Sequence, residues 1–131
     1  MGRQTGRWTR GDARGRVRGM SPWSVSSETG VLTDVLVCPP DHYRWIPTNT
    51  IVRRTLAGAQ QPSAMALAAQ HGELVAALQE GGARVHVLPP EPHLPYMVYT
   101  RDSAVVTPWG PVLCQLERPQ RRGEYAGVTD F

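Results

Sequence analysis

The run Tyr99-Thr100-Arg101-Asp102 and, nineteen residues after its aspartate, the cluster Arg121-Arg122-Gly123-Glu124 hold the side chains of this sequence best suited to polar recognition. A carboxylate accepts two parallel N–H bonds from a planar cation, and a guanidinium offers such a fork to a carboxylate. Plainer roles fit the same residues. Asp102 would serve equally as a strand-end turn residue, and Arg121 as a solvated charge in a surface cluster.

Nucleophiles and metal ligands are harder to find. The two cysteines, Cys38 and Cys114, sit in no CxxC or Cys/His spacing, so no metal site is expected and the sequence calls for no cofactor. Both read as free thiols. Cys38 closes an apolar strand before Pro39-Pro40, and Cys114 lies within an apolar strand pair; thiols so placed are inert. His42, His86 and His93 belong to no histidine motif, and His86 alternates with Val85 and Val87 as a sheet-face residue does. None of these is expected to be catalytic.

The elements that must hold these residues follow from patterning. Val31–Cys38 (VLTDVLVC) is β-branched and apolar and stops at two prolines, which predicts a largely buried strand. Residues 39–61 form a long loop with turn-formers and Ile46-Pro47, a length that marks functional segments. From Pro62 to Glu80, Leu67, His71, Leu74, Val75 and Leu78 recur at helical spacing, and Gly81-Gly82 supplies the stop. On that stripe His71 reads as a packed residue. A strand over Ala83–Leu88 completes a βαβ unit with parallel strands. Short strands are predicted at Met97–Arg101, Ala104–Thr107 and Val112–Leu116, the last two joined by the turn Pro108-Trp109-Gly110-Pro111, with a second helix around Arg121–Ala126.

An aromatic-Thr-Arg-Asp run at a strand end, followed by an apolar strand, a glycine turn, another strand and Arg-x-x-Glu, resembles the superfamily of amidinotransferases, arginine deiminases and dimethylarginine dimethylaminohydrolases, the penteins. Arginine deiminases carry a Phe-Thr-Arg-Asp run of this kind. The opening VLVCPP, then helix, strand and proline-rich bend, fits the N-terminal portion of those enzymes; the likeness covers residues 24–126, its specific part about 30 of them. The resemblance implies an α/β fold, a partial five-bladed α/β propeller with about two of five ββαβ-type blades. It implies that Asp102 pairs a substrate guanidinium, that Tyr99 walls the pocket in place of the family's Phe, and that Arg121 grips the carboxylate at the far end of the substrate. Arg101 and Glu124 would hold the architecture or each other. Tyr96 departs from the pattern, standing where members acting on arginine or methylated arginine carry Asn or Asp. A phenol cannot pair a guanidinium bidentately, so arginine itself is not implied as substrate. The family's Cys and His lie downstream of the matching segment. The chain is therefore expected to be an N-terminal fragment of a hydrolase or amidinotransferase acting on linear amidines, inactive alone, and prone to self-association through unpaired strand edges.

Composition bounds the rest. The 131 residues suffice for one ordinary domain, 40% of them are hydrophobic, and no stretch reaches membrane-spanning length. The net charge of +3 belongs to one segment: residues 1–18 carry six arginines against one acid, the remainder eight against ten. All basic residues are arginine, which reads as coding bias. Residues 1–19 are expected to form a disordered Arg/Gly-rich leader, and 20–131 the folded part. The leader is read in three ways: a nucleic-acid-contacting arm, an over-extended frame with Met20 as true start, or a tail without a role. With no signal peptide, a cytoplasmic protein is expected. The alternative function is a non-enzymatic small α/β domain or binding module with a nucleic-acid-contacting tail.

Overall fold

A computed structural model describes residues 21–58 and 61–131, and the arginine-rich leader 1–19 lies outside them. The described elements run β1 (Asp34–Val37), α1 (Thr50–Gly58), α2 (Ala64–Glu80), β2 (Arg84–Val87), β3 (Ala104–Thr107), β4 (Gly110–Leu113) and α3 (Glu124–Asp130), with short 3-10 turns at Thr100–Ser103 and Pro119–Arg121. The chain divides into two compact units. One comprises Val31–Val105 with Leu113–Phe131; the other joins the described residues 21–30 to Val106–Val112.

In the larger unit β1 and β2 run parallel, Asp34 opposite Arg84 and Leu36 opposite His86. This is the strand–helix–strand unit expected from the sequence, its strands trimmed to four residues each. α2 begins where the Ser63 hydroxyl accepts from Ala66 N–H at 3.1 Å and ends at Gly81, with Gly82 at φ 86°, a conformation costly for any side chain. Leu67, His71, Val75 and Leu78 are half-buried along it, whereas Leu74 turns out to be exposed. The core gathers Cys38, Leu88, Leu94 and Met97, with Leu36 and Val128 packed against it. Gly127 lets α3 approach closely: a Cβ there would stand 3.4 Å from Met97 Cε.

Several elements differ from expectation. Met97–Arg101 is no strand. Its backbone turns through i→i+3 bonds (Tyr99 N–H to Tyr96 C=O, Asp102 N–H to Tyr99 C=O, each 3.0 Å) into the 3-10 turn Thr100–Ser103. Leu94, Pro95 and Met97 are all buried, and this near-continuous burial is incompatible with two-residue alternation. The presumed loop 39–61 contains α1, capped by Asn49 Oδ1 accepting from Val52 N–H at 2.9 Å; it buries no residue, which left no apolar stripe to read. β4 starts at Gly110 rather than Val112, because Thr107 Oγ1 donates to Gly110 C=O at 2.7 Å and accepts from Trp109 N–H, closing a two-residue turn. The last helix begins at Glu124, since Gly123 at φ 99° breaks the path from the Pro119–Arg121 turn.

The sheets, β1-β2 and β3-β4, have two strands each and neither closes on itself. No helix among the described residues is long and apolar enough to cross a membrane. In the smaller unit, Val25 N–H reaches Thr107 C=O at 3.1 Å, and a Cβ on Gly110 would crowd Ser21 at 3.1 Å.

Candidate functional site

The 3-10 turn that carries Asp102 is fastened to β1, because Thr100 Oγ1 donates to Leu36 C=O at 3.0 Å. From its exposed side Asp102 accepts through Oδ2 from Arg121 Nη1 at 2.7 Å. The same guanidinium forks onto Glu124: Nε donates to Oε1 at 2.9 Å and Nη2 to Oε2 at 2.8 Å. Glu124 is fully buried, and the buried Ser103 hydroxyl also donates to it, at 3.4 Å. A buried carboxylate is costly unless a cation and hydrogen bonds meet it, and here a bidentate arginine does so. Arg121 in turn is held far above its ordinary pKa, first by Glu124 and then by Asp102, against the opposing effect of burial.

Aromatic rings surround this network. Arg121 lies 6.0 Å from the Tyr96 ring centre and 5.8 Å from that of Tyr99, within cation–π range. Tyr43 meets both rings edge-on, and its hydroxyl shares a 3.2 Å hydrogen bond with Tyr99. Burial, with Tyr99 beside it, pushes the Tyr43 phenol up to about 12. The Trp45 indole N–H donates to the Tyr43 hydroxyl. Tyr96 accepts from Ile46 N–H at 2.8 Å, which ties the segment after β1 to this wall.

A cleft of about 200 Å³ opens against Tyr96, Tyr99, Arg118 and Arg121, with Ile46 and Val52 supplying apolar surface and Thr48 and Gln120 polar rim. Arg118 crosses it to donate from Nη1 to Thr48 Oγ1 at 3.1 Å.

Of the residues singled out in the sequence, Asp102, Tyr99, Arg121 and Glu124 therefore meet at one place. Arg101 is exposed in the Thr100–Ser103 turn, and the partner of Glu124 is Arg121. Sequence reasoning passed over Tyr43, Trp45 and Arg118. Arg118 lies three residues before Arg121, which one turn of helix would align, and that spacing was the signal available. Cys38 is buried, and desolvation raises its thiol to about 11. The Nε2 of His86 donates to Asp34 Oδ1 at 2.9 Å, and neither residue lines the cleft. His71 Nε2 is buried without a hydrogen-bond partner. No cluster of three or more potential metal ligands occurs among the described residues.

No family model matches the chain. An uncharacterized protein of Bacillus subtilis (strain 168), YkgA, is 31% identical over 107 residues, 80% of this chain and 36% of that protein. Among solved structures, dimethylarginine dimethylaminohydrolase in an adduct with 4-chloro-2-hydroxymethylpyridine superposes with a TM-score of 0.59 at 20% identity, covering 76% of this chain and 35% of that one. The Pseudomonas aeruginosa enzyme of that name, a cysteine-to-serine mutant complexed with citrulline, gives a TM-score of 0.60 at 18% identity, covering 77% and 37%. The chain thus spans about a third of the length of the proteins it matches. These structural neighbours are penteins, the chain has their α/β fold, and the coverage is consistent with an N-terminal portion.

Proposed function

We propose that this chain, built on the dimethylarginine dimethylaminohydrolase-like fold, is the N-terminal part of a guanidino-group-modifying hydrolase and supplies about two of five blades around its pocket. The observation that carries this reading is that Tyr99 and Arg121 line an open cleft, with Asp102 bonded to Arg121. Asp102 is half exposed and offers its carboxylate to the flat cation of a small guanidino substrate; Tyr99 supplies an aromatic face.

The chemistry expected of such an enzyme is attack of a cysteine thiolate on the guanidinium carbon. The C–N bond to the departing amine then breaks, a histidine protonates that amine, and water releases the adduct as a ureido product. Transfer of the amidino group to a second amine is the other possible fate. Cys38 is unsuited to the first step, since it is buried and stays protonated to about pH 11. In this reading nucleophile and acid come from outside these 131 residues, and the chain alone binds without turnover. Unpaired edges of the small sheets would favour self-association or docking of the remaining blades.

Calorimetric titration of the chain with Nω,Nω-dimethylarginine and with agmatine tests this. Binding should weaken about tenfold or more in Asp102→Asn, the loss of a charge-assisted bidentate contact. A folded chain that binds no guanidino compound at millimolar concentration would sink the reading.

A further inference from the structure

We infer that the bond between Arg121 and Asp102 is autoinhibitory: the chain's own guanidinium holds the carboxylate that a guanidino ligand needs, and the ligand's fork seats only after Asp102 turns away from Arg121. The inference deepens the proposed function and rests on it for the nature of the ligand.

A guanidinium is recognised by acceptors in its plane and by aromatic rings against its faces. Arg121 already has both. Its three nitrogens are committed, Nη1 to Asp102 at 2.7 Å and Nε and Nη2 to Glu124 at 2.9 and 2.8 Å. Its Cζ stands over the Tyr96 and Tyr99 rings, 6.0 and 5.8 Å from their centres. Asp102 and Tyr99 are the groups assigned above to the cation of a ligand. A ligand's fork needs both oxygens of the carboxylate, and Oδ2 is in use before any ligand arrives.

The two halves of this arrangement differ in strength. The fork to Glu124 is buried, and breaking it would strand an uncompensated charge. The bond to Asp102 is a single one, to a side chain that is 46% exposed, and ion pairs open to water contribute little. A planar guanidinium pinned through two nitrogens cannot turn the third away. The moving part is therefore Asp102. Its carboxylate leaves Nη1 for the incoming fork, and Arg121 stays on Glu124. The chain's own cation thus sets a threshold that a ligand must exceed, and a weakly paired cation such as a lone ammonium falls below it.

Agmatine tests this, because it presents a guanidinium and carries no carboxylate. In Arg121→Lys the ammonium keeps a charge for Glu124 but has no rigid fork to span from that acid to Asp102. Calorimetric titration should show agmatine binding Arg121→Lys about threefold to fivefold more tightly than the parent, the recovery of one exposed ion pair. Equal or weaker binding by the folded variant, with the parent still binding, overturns the inference and leaves the guanidino reading standing. Binding by the variant alone supports the inference and removes that reading for the parent. A second measurement uses the parent by itself. In nitrogen-15 spectra saturating agmatine should shift the Arg121 Nη1 signal and leave its Nε, held by Glu124, in place. An Nη1 signal unmoved by bound agmatine overturns the inference even where Arg121→Lys fails to fold. Absence of agmatine binding in the parent and in every folded variant ends both.

Discussion

Arg121 and Glu124, three residues apart, meet in a fork-to-fork pair whose acid is entirely buried, at 2.8 and 2.9 Å. Because Ser103 beside Asp102 also contacts that acid, the pair links the start of α3 to the turn presenting Asp102.

Removal of the cation should therefore be a stability defect before it is a binding defect. Arg121→Met leaves Glu124 buried without its counter-charge, and breaking such a pair from one side costs about 3–5 kcal/mol. Arg121→Met with Glu124→Leu should recover much of that loss. Urea titrations followed by circular dichroism would show it; equal midpoints for the single variant and the parent would contradict the pairing.

Cys38 should be silent toward thiol reagents while the chain is folded. Its buried thiol titrates at about 11, above the ordinary 9.0, so the folded state holds its proton where the unfolded state has released it. Stability contributed by the neutral thiol is full below pH 9.0 and is lost as pH rises toward about 11. Thermal melts of the parent should lose more over that interval than those of Cys38→Val.

Asp34 carries the opposite dependence. The hydrogen bond from His86 holds its carboxyl below the usual 3.8 despite some opposing desolvation. The benefit is present above pH 3.8 and disappears as pH falls below it through the folded-state value. Asp34→Asn should flatten the acid limb of the pH–stability curve and leave its neutral region lowered; a parallel curve would count against the His86 contact.

Gly127→Val should loosen α3 from the core. A Cβ there already stands 3.4 Å from Met97 and 3.9 Å from Leu88, and branching beyond it forces displacement, at about 1–3 kcal/mol. Hydrogen exchange should rise in α3 first. Gly127→Ala serves as the milder control.

The sequence made the βαβ unit legible because strand β1, helix α2 and strand β2 each end at a residue with one local meaning: Pro39, Gly81-Gly82 and Pro89. Helix α1, which buries no residue, gave no such signal. The segment before Asp102 misled because Val98 and Tyr99 favour a strand locally, whereas burial of Leu94, Pro95 and Met97 imposes a turn. Asp102, Arg121 and Glu124 could be named from spacing and resemblance, but their division of labour depends on which acid is buried. Tyr43 and Trp45 reach the site across more than fifty residues, a distance that no local pattern encodes.

The bond from Ile46 N–H to the Tyr96 hydroxyl sets how the cleft would meet a ligand. One clasp between walls fifty positions apart means that their separation is established when the chain folds. Little rearrangement is then left for the moment of encounter. Association should be quick and sensitive to ionic strength, and specificity should reside in how long a molecule stays.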